Sequence, residues 1–212
     1  MEVFLGTLSA LFSVVNPIGA TPVFISLTQE NSKKEIKDIA LRTAIYMVLI
    51  LVIFFLAGKF ILDFFGILVE HIRIAGGIMI VISGMRLLRQ DSEKGKIISK
   101  EVRLEGMEKD DISFTPMAMP LLSGPGSIAL LIGMFDSLKG PAYWESGFII
   151  LAIILVSALT FIILLFSRTL NKFLGKGGMA ALSRLMGFIV LSIGIGMIMN
   201  GLIPLLKQIN VN

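Results

Sequence analysis

The chain has 212 residues, 55% hydrophobic and only 16% charged, with a mean hydropathy of +0.89 and a net charge of +4. A soluble domain carries roughly 25% charge and has no interior large enough for this much apolar surface; disorder is excluded by the same composition, and a disulfide scaffold by the absence of cysteine. What remains is an integral membrane protein, in which excess Lys and Arg read as a loop bias and not as nucleic-acid binding.

A helix needs about 20 apolar residues to cross the hydrocarbon core. The uncharged runs are 3–29, 43–58, 74–85, 112–135, 146–167 and 185–206. Run 43–58 reaches spanning length if Lys59 snorkels, giving 41–62, and run 74–85 if Arg73 and Arg86 both do, giving 68–89. Six transmembrane helices are expected. Met1-Glu2-Val3 lacks a positive n-region and no A-x-A-like site follows, so a cleaved signal peptide is not expected.

Loop charges give the orientation. Loops 1–2, 3–4 and 5–6 carry 15 Lys and Arg and the other side carries 4. The positive-inside rule puts the first group in the cytoplasm and both termini outside, in a cell inner or plasma membrane.

The segments repeat. Arg73-Ile74-Ala75-Gly76-Gly77 matches Arg184-Leu185-Met186-Gly187-Phe188 at an offset of 111, Gly58-Lys59 matches Ser167-Arg168 at 109, and Asn16-Pro17-Ile18-Gly19 aligns with Gly124-Pro125-Gly126-Ser127 at 108. Two halves follow, 1–89 and 112–212, joined by a charged cytoplasmic linker at 90–111. Three spans per half is an odd number, so the second half enters from the opposite face. The expected fold is an all-α membrane protein of two inverted three-helix repeats, an architecture common among secondary transporters.

Five of the seven prolines fall in segments 1 and 4, within Asn16-Pro17-Ile18-Gly19-Ala20-Thr21-Pro22, at Pro116, and within Pro120-Leu121-Leu122-Ser123-Gly124-Pro125-Gly126-Ser127. Each proline removes a helical hydrogen bond, and in lipid an unsatisfied backbone group is costly unless protein, water or a ligand repairs it. Helices 1 and 4 are therefore expected to be discontinuous. A half-helix N-terminus offers N–H groups and a positive dipole end to a carboxylate; a half-helix C-terminus offers carbonyls to an ammonium. The amides of Gly19, Ala20, Gly126 and Ser127 are the candidate donors. Carbonyls of Val14, Val15, Leu121 and Leu122 are the candidate acceptors, and Asn16, Thr21, Ser123 and Ser127 can add side-chain bonds. An α-amino acid has this pair of charges on one carbon, although another small polar solute would also fit.

Gly77 and Gly84 in segment 3, and Gly187, Gly194 and Gly201 in segment 6, recur every seven residues, a stripe suited to close helix contact or to sliding. No charged residue is expected deep in any span, so a coupling ion, H+ or Na+, would use freed carbonyls or a terminal acid such as Asp111. No cofactor is expected. There is no P-loop, HExxH or Ser-His-Asp set, and no enzymatic activity is expected.

Val15-Asn16-Pro17-Ile18-Gly19 through Pro22, Pro120-Leu121-Leu122-Ser123-Gly124-Pro125-Gly126 and Arg73-Ile74-Ala75-Gly76-Gly77 resemble the MarC/SnatA family of prokaryotic integral membrane proteins across essentially the whole chain. The resemblance implies a carrier of small neutral amino acids, glycine and alanine, binding at Asn16, Pro17 and Gly19 and at Pro120, Gly124 and Pro125. Ser123 stands where an alanine is common, which alters polarity at that point. The rival readings are a non-transporting scaffold or regulator, in which the breaks are structural, and a channel for small polar solutes.

Overall fold

The computed structural model describes residues 2–89, 111–138 and 143–209, and every element among them is helical. All of the expected linker except Asp111 lies outside the described residues.

Segment 1 is α1 (Glu2–Val15) followed by α2 (Pro17–Leu27), which together make one apolar span, Val3–Leu27. Segment 2 is α3 (Lys33–Phe64). It starts at a capping box: the Glu35 N–H donates to Ser32 Oγ and the Ser32 N–H to the Glu35 carboxylate. It ends at Gly66, whose φ of +66° lets the Gly66 N–H reach the Asp63 carbonyl and the Ile67 N–H the Leu62 carbonyl. Segment 3 is α4 (Val69–Arg89), matching the expected 68–89.

Segment 4 is bent. Its first part, α5 (Ser113–Leu122), has wide turns in which the Met117 N–H donates to the Ile112 carbonyl and the Ser123 N–H to the Ala118 carbonyl. Thr115 and Met119 are extended inside it, and the peptide bonds before Pro116 and Pro120 are cis. Its second part, α6 (Pro125–Ser137), leaves at 60°. Segment 5 is α7 (Tyr143–Leu165) and segment 6 is α8 (Ser167–Ile209), interrupted at Gly175 with φ +63°. Residues 168–184, expected as a loop, are thus mostly helical: charged side chains end a span without ending a helix. Counting the bent pair as one crossing, up to six spans are long and apolar enough for a membrane.

Five spans qualify alone, and most of their surface residues are apolar side chains directed outward, such as Phe60, Phe64 and Phe188. Inside, Leu11, Phe24, Met47, Phe55, Ile80 and Leu131 join α1, α2, α3, α4 and α6 in one core. The longest interface is α4 on α8, through the glycine stripe. A Cβ on Gly77 would lie 2.8 Å from the Gly194 carbonyl oxygen, and one on Gly84 2.9 Å from that of Gly187. Only glycine allows backbones so close.

Each broken segment is also tied to a neighbour by a cation. Lys59 on α3 donates to Asp136 on α6 at 2.9 Å, while Arg168 on α8 donates to the carbonyls of Thr28 at 2.5 Å and Gln29 at 3.4 Å. Arg73 joins the first tie, with Nη2 3.3 Å from the same carboxylate. The expectation that Arg73 reaches outward from the end of its span is therefore corrected. Arg73 does not snorkel; its side chain is only 15% exposed because Asp136 offers it a partner.

Candidate functional site

The two motifs break the backbone in different ways. At the first, Asn16 alone leaves the helix, with φ 48° and ψ 61°, the left-handed region that asparagine tolerates better than most residues. It caps α2 itself: Oδ1 accepts the Gly19 N–H at 3.2 Å and the Asn16 carbonyl accepts the Ala20 N–H at 3.2 Å. Pro17 fills the first helical position, where its missing N–H leaves nothing unpaired. Pro22 cannot donate to the Ile18 carbonyl, and the buried Thr21 hydroxyl does so instead at 2.7 Å. The Gly19 and Ala20 amides, expected as free donors, are already engaged. The pattern of Asn followed by Pro is itself a capping signal, and that signal was available in the sequence.

At the second motif nothing closes the gap in that way. Gly124 is the residue before α6, extended at φ −76° and ψ 176°, and it has no side chain to cap with. Pro125 takes the first helical position, and the amides of Gly126 and Ser127 follow in the uncapped turn. The Ser127 hydroxyl turns back to the Gly124 carbonyl at 2.9 Å. Ser123, 0% exposed, has a hydroxyl with no hydrogen-bond partner among the described residues. Gly124 is held close: a Cβ there would lie 2.6 Å from the Pro120 carbonyl oxygen.

A cavity of about 410 Å³ opens at this break. Pro120, Gly124, Pro125, Gly126 and Ser127 line it, so the structure gathers these expected residues around one space. Of the first motif's neighbourhood only Val14 reaches it; Asn16, Pro17, Gly19, Ala20 and Thr21 are not in its wall, and neither is Ser123 of the second motif. The two broken segments still pack together, α1 on α6 and α2 on α5. Sequence reasoning missed the α4 wall, Met79, Ser83 and Arg86, which share one helix face at steps of four and three. Two polar residues on one face of an apolar span were the available sign. Arg86 is exposed, and it is the only charged residue of this cavity among the described residues.

The MarC family of integral membrane proteins matches residues 1–206 of this chain. The chain belongs to the MarC family. Within it, a UPF0056 membrane protein of Methanocaldococcus jannaschii is 38% identical over 95% of this chain and 97% of its own length. The UPF0056 membrane protein YvbG of Bacillus subtilis is 34% identical over 94% of this chain and 95% of its own. The UPF0056 inner membrane protein MarC of Escherichia coli is 32% identical over 94% of each. No solved structure matches the chain. The family match spans both breaks and every residue that lines the cavity.

Proposed function

We propose that the chain is a secondary transporter of small neutral amino acids, glycine and alanine, built as two inverted three-helix repeats, 1–89 and 112–212, with discontinuous helices 1 and 4. The observation that carries the reading is the start of α6, where uncapped amides border a cavity of about 410 Å³. The carboxylate lies against the Gly126 and Ser127 amides, and the ammonium against carbonyls that Pro120 and Pro125 leave unpaired. The Ser123 hydroxyl, buried beside Gly124 but outside the cavity wall, is a group that a water would satisfy. Asn16, Pro17, Gly19, Ala20 and Thr21 act in this reading as the preformed counterpart that packs behind the site and holds its shape.

The inverted repeat is supported by the contacts. Under an exchange of segments 1, 2 and 3 for 4, 5 and 6, the packing of segment 1 on 5 becomes that of 4 on 2, and 1 on 6 becomes 4 on 3; all four contacts occur. The ties agree, Lys59–Asp136 at one end and Arg168–Thr28 at the other. The orientation that follows has both termini outside, the cavity opening toward the cytoplasm, and H+ or Na+ as the candidate coupling ion; no cofactor and no nucleic acid take part.

Reconstituted in liposomes, the protein should give saturable glycine or alanine uptake with counterflow, and Gly124→Val should abolish it while still inserting, because the added side chain meets the Pro120 carbonyl. Unsaturated flux would mean a channel, and no flux with either amino acid would leave a scaffold.

A further inference from the structure

A second cavity, of about 670 Å³, lies at the opposite end of the bundle, among the first turns of α1, α4 and α7 and the last turns of α6 and α8. It shares no residue with the cavity at the α6 break. Among the described residues its wall carries one cation, Arg73, and one anion, Glu145, with Thr7 and Asn200 as neutral polar groups and Met134 and Ile149 as apolar surface.

The bonding of Arg73 is uneven. Nη2 alone donates to the Gly133 carbonyl at 2.9 Å, to Ser137 Oγ at 2.8 Å and to Asp136 Oδ2 at 3.3 Å. Nε and Nη1 have no acceptor among the described residues. Asp136 is meanwhile shared, since Lys59 holds its other oxygen at 2.9 Å. A half-buried carboxylate left alone is strongly disfavoured, so a lone Arg73–Asp136 pair would not open to a competitor. With Lys59 present, Asp136 keeps a partner if Arg73 turns away.

We propose that this cavity is a second ligand site for a small carboxylate, in which the incoming group takes Arg73 from Asp136 while Lys59 retains Asp136. Glu145 on the same wall suits an ammonium, so an amino acid zwitterion fits better than a simple acid. The volume and the apolar wall admit side chains larger than a methyl group. The site does not rest on transport: a scaffold with this structure would have it too.

Two substitutions have opposite expected signs, and a purely structural ion network would not produce that. Binding is measured by titration calorimetry on the full chain in detergent, with acetate and leucine as probes, in wild type and in a Gly124→Val background that removes the first site. Asp136→Asn frees Arg73 and should tighten acetate roughly tenfold. Lys59→Met makes Asp136 depend on Arg73 and should weaken both probes by a similar factor. Arg73→Gln should abolish binding of both, and Glu145→Gln should weaken leucine while leaving acetate unchanged. If Arg73→Gln does not fold, the opposed pair decides. Weaker binding in Asp136→Asn, equal effects in Asp136→Asn and Lys59→Met, or no binding of either probe to wild type would overturn the site. If leucine and acetate bind here while glycine uptake fails, the carrier reading falls and this site stands.

Discussion

Gly77 and Gly194 face each other across the α4–α8 contact, each so close that an added Cβ would lie within 3.0 Å of the other's carbonyl oxygen. Gly84 and Gly187 repeat the relation one heptad away. Gly77 and Gly187 are 110 residues apart in the chain, as are Gly84 and Gly194. A shift of 110 residues therefore exchanges one pair for the other. Gly194→Val should cost at least about 1–3 kcal/mol, because backbone on both sides blocks relief. Gly196→Ala on the same helix has nothing within 4 Å and should be neutral or stabilising by about 0.5–1 kcal/mol. Thermal unfolding in detergent compares them, and equal midpoints would mean that the stripe is not a contact.

Asn16 makes a second test. Asn16→Ala loses the bond to the Gly19 amide, about 1 kcal/mol, and holds an alanine in the left-handed region at a cost of about 1–2 kcal/mol. Asn16→Gly accepts the backbone angles but lacks the bond. Stability should fall in the order Asn, Gly, Ala. An alanine variant as stable as the parent would show that the cap contributes nothing.

Ser123→Ala removes a fully buried hydroxyl that has no partner among the described residues. Without ligand the variant should be as stable as wild type or more so, since an orphaned buried polar group costs about 1–3 kcal/mol. A clear loss of stability in the absence of ligand would reveal a protein partner for the hydroxyl.

Asp111 sits before α5. The Ser113 hydroxyl and the Ser113 N–H bond its carboxylate, and Arg42 lies 3.8 Å away. The Ser113 hydroxyl, first, and then its amide and the Arg42 charge hold the Asp111 carboxyl below its ordinary range against a partial desolvation that raises it. A depressed folded pKa means stability that is full above the unfolded value of about 3.9 and is lost as pH falls through the folded value. Asp111→Asn should therefore unfold earlier than wild type at pH 7, and the gap should close below about pH 4. A gap that widened on acidification would contradict this.

Much of the architecture was legible in the order of residues. Charge gaps located the six segments, and the proline and glycine clusters located Asn16 and Gly124, because both signals are local. The inward turn of Arg73 was not legible: its partner Asp136 is 63 residues away, and a charge at the edge of an apolar run looks the same whether it faces water or a carboxylate. The cavity wall from α4 was hidden for a similar reason. Met79, Ser83 and Arg86 become a site only when the α6 break is set against them. Residues 168–184 looked like a loop because Arg168, Lys172, Lys176 and Arg184 bar them from lipid, yet a helix at a membrane surface tolerates all four.

The first break carries its own plug, in Asn16, and the second carries none. The first turn of α2 is capped by its own side chain, whereas the first amides of α6 are left to water or a ligand. Any rocking motion of the protein would then pivot on segment 1 and be felt mostly in segment 4, so a molecule bound at α6 would act as a splint, and its departure would loosen one side of the bundle only.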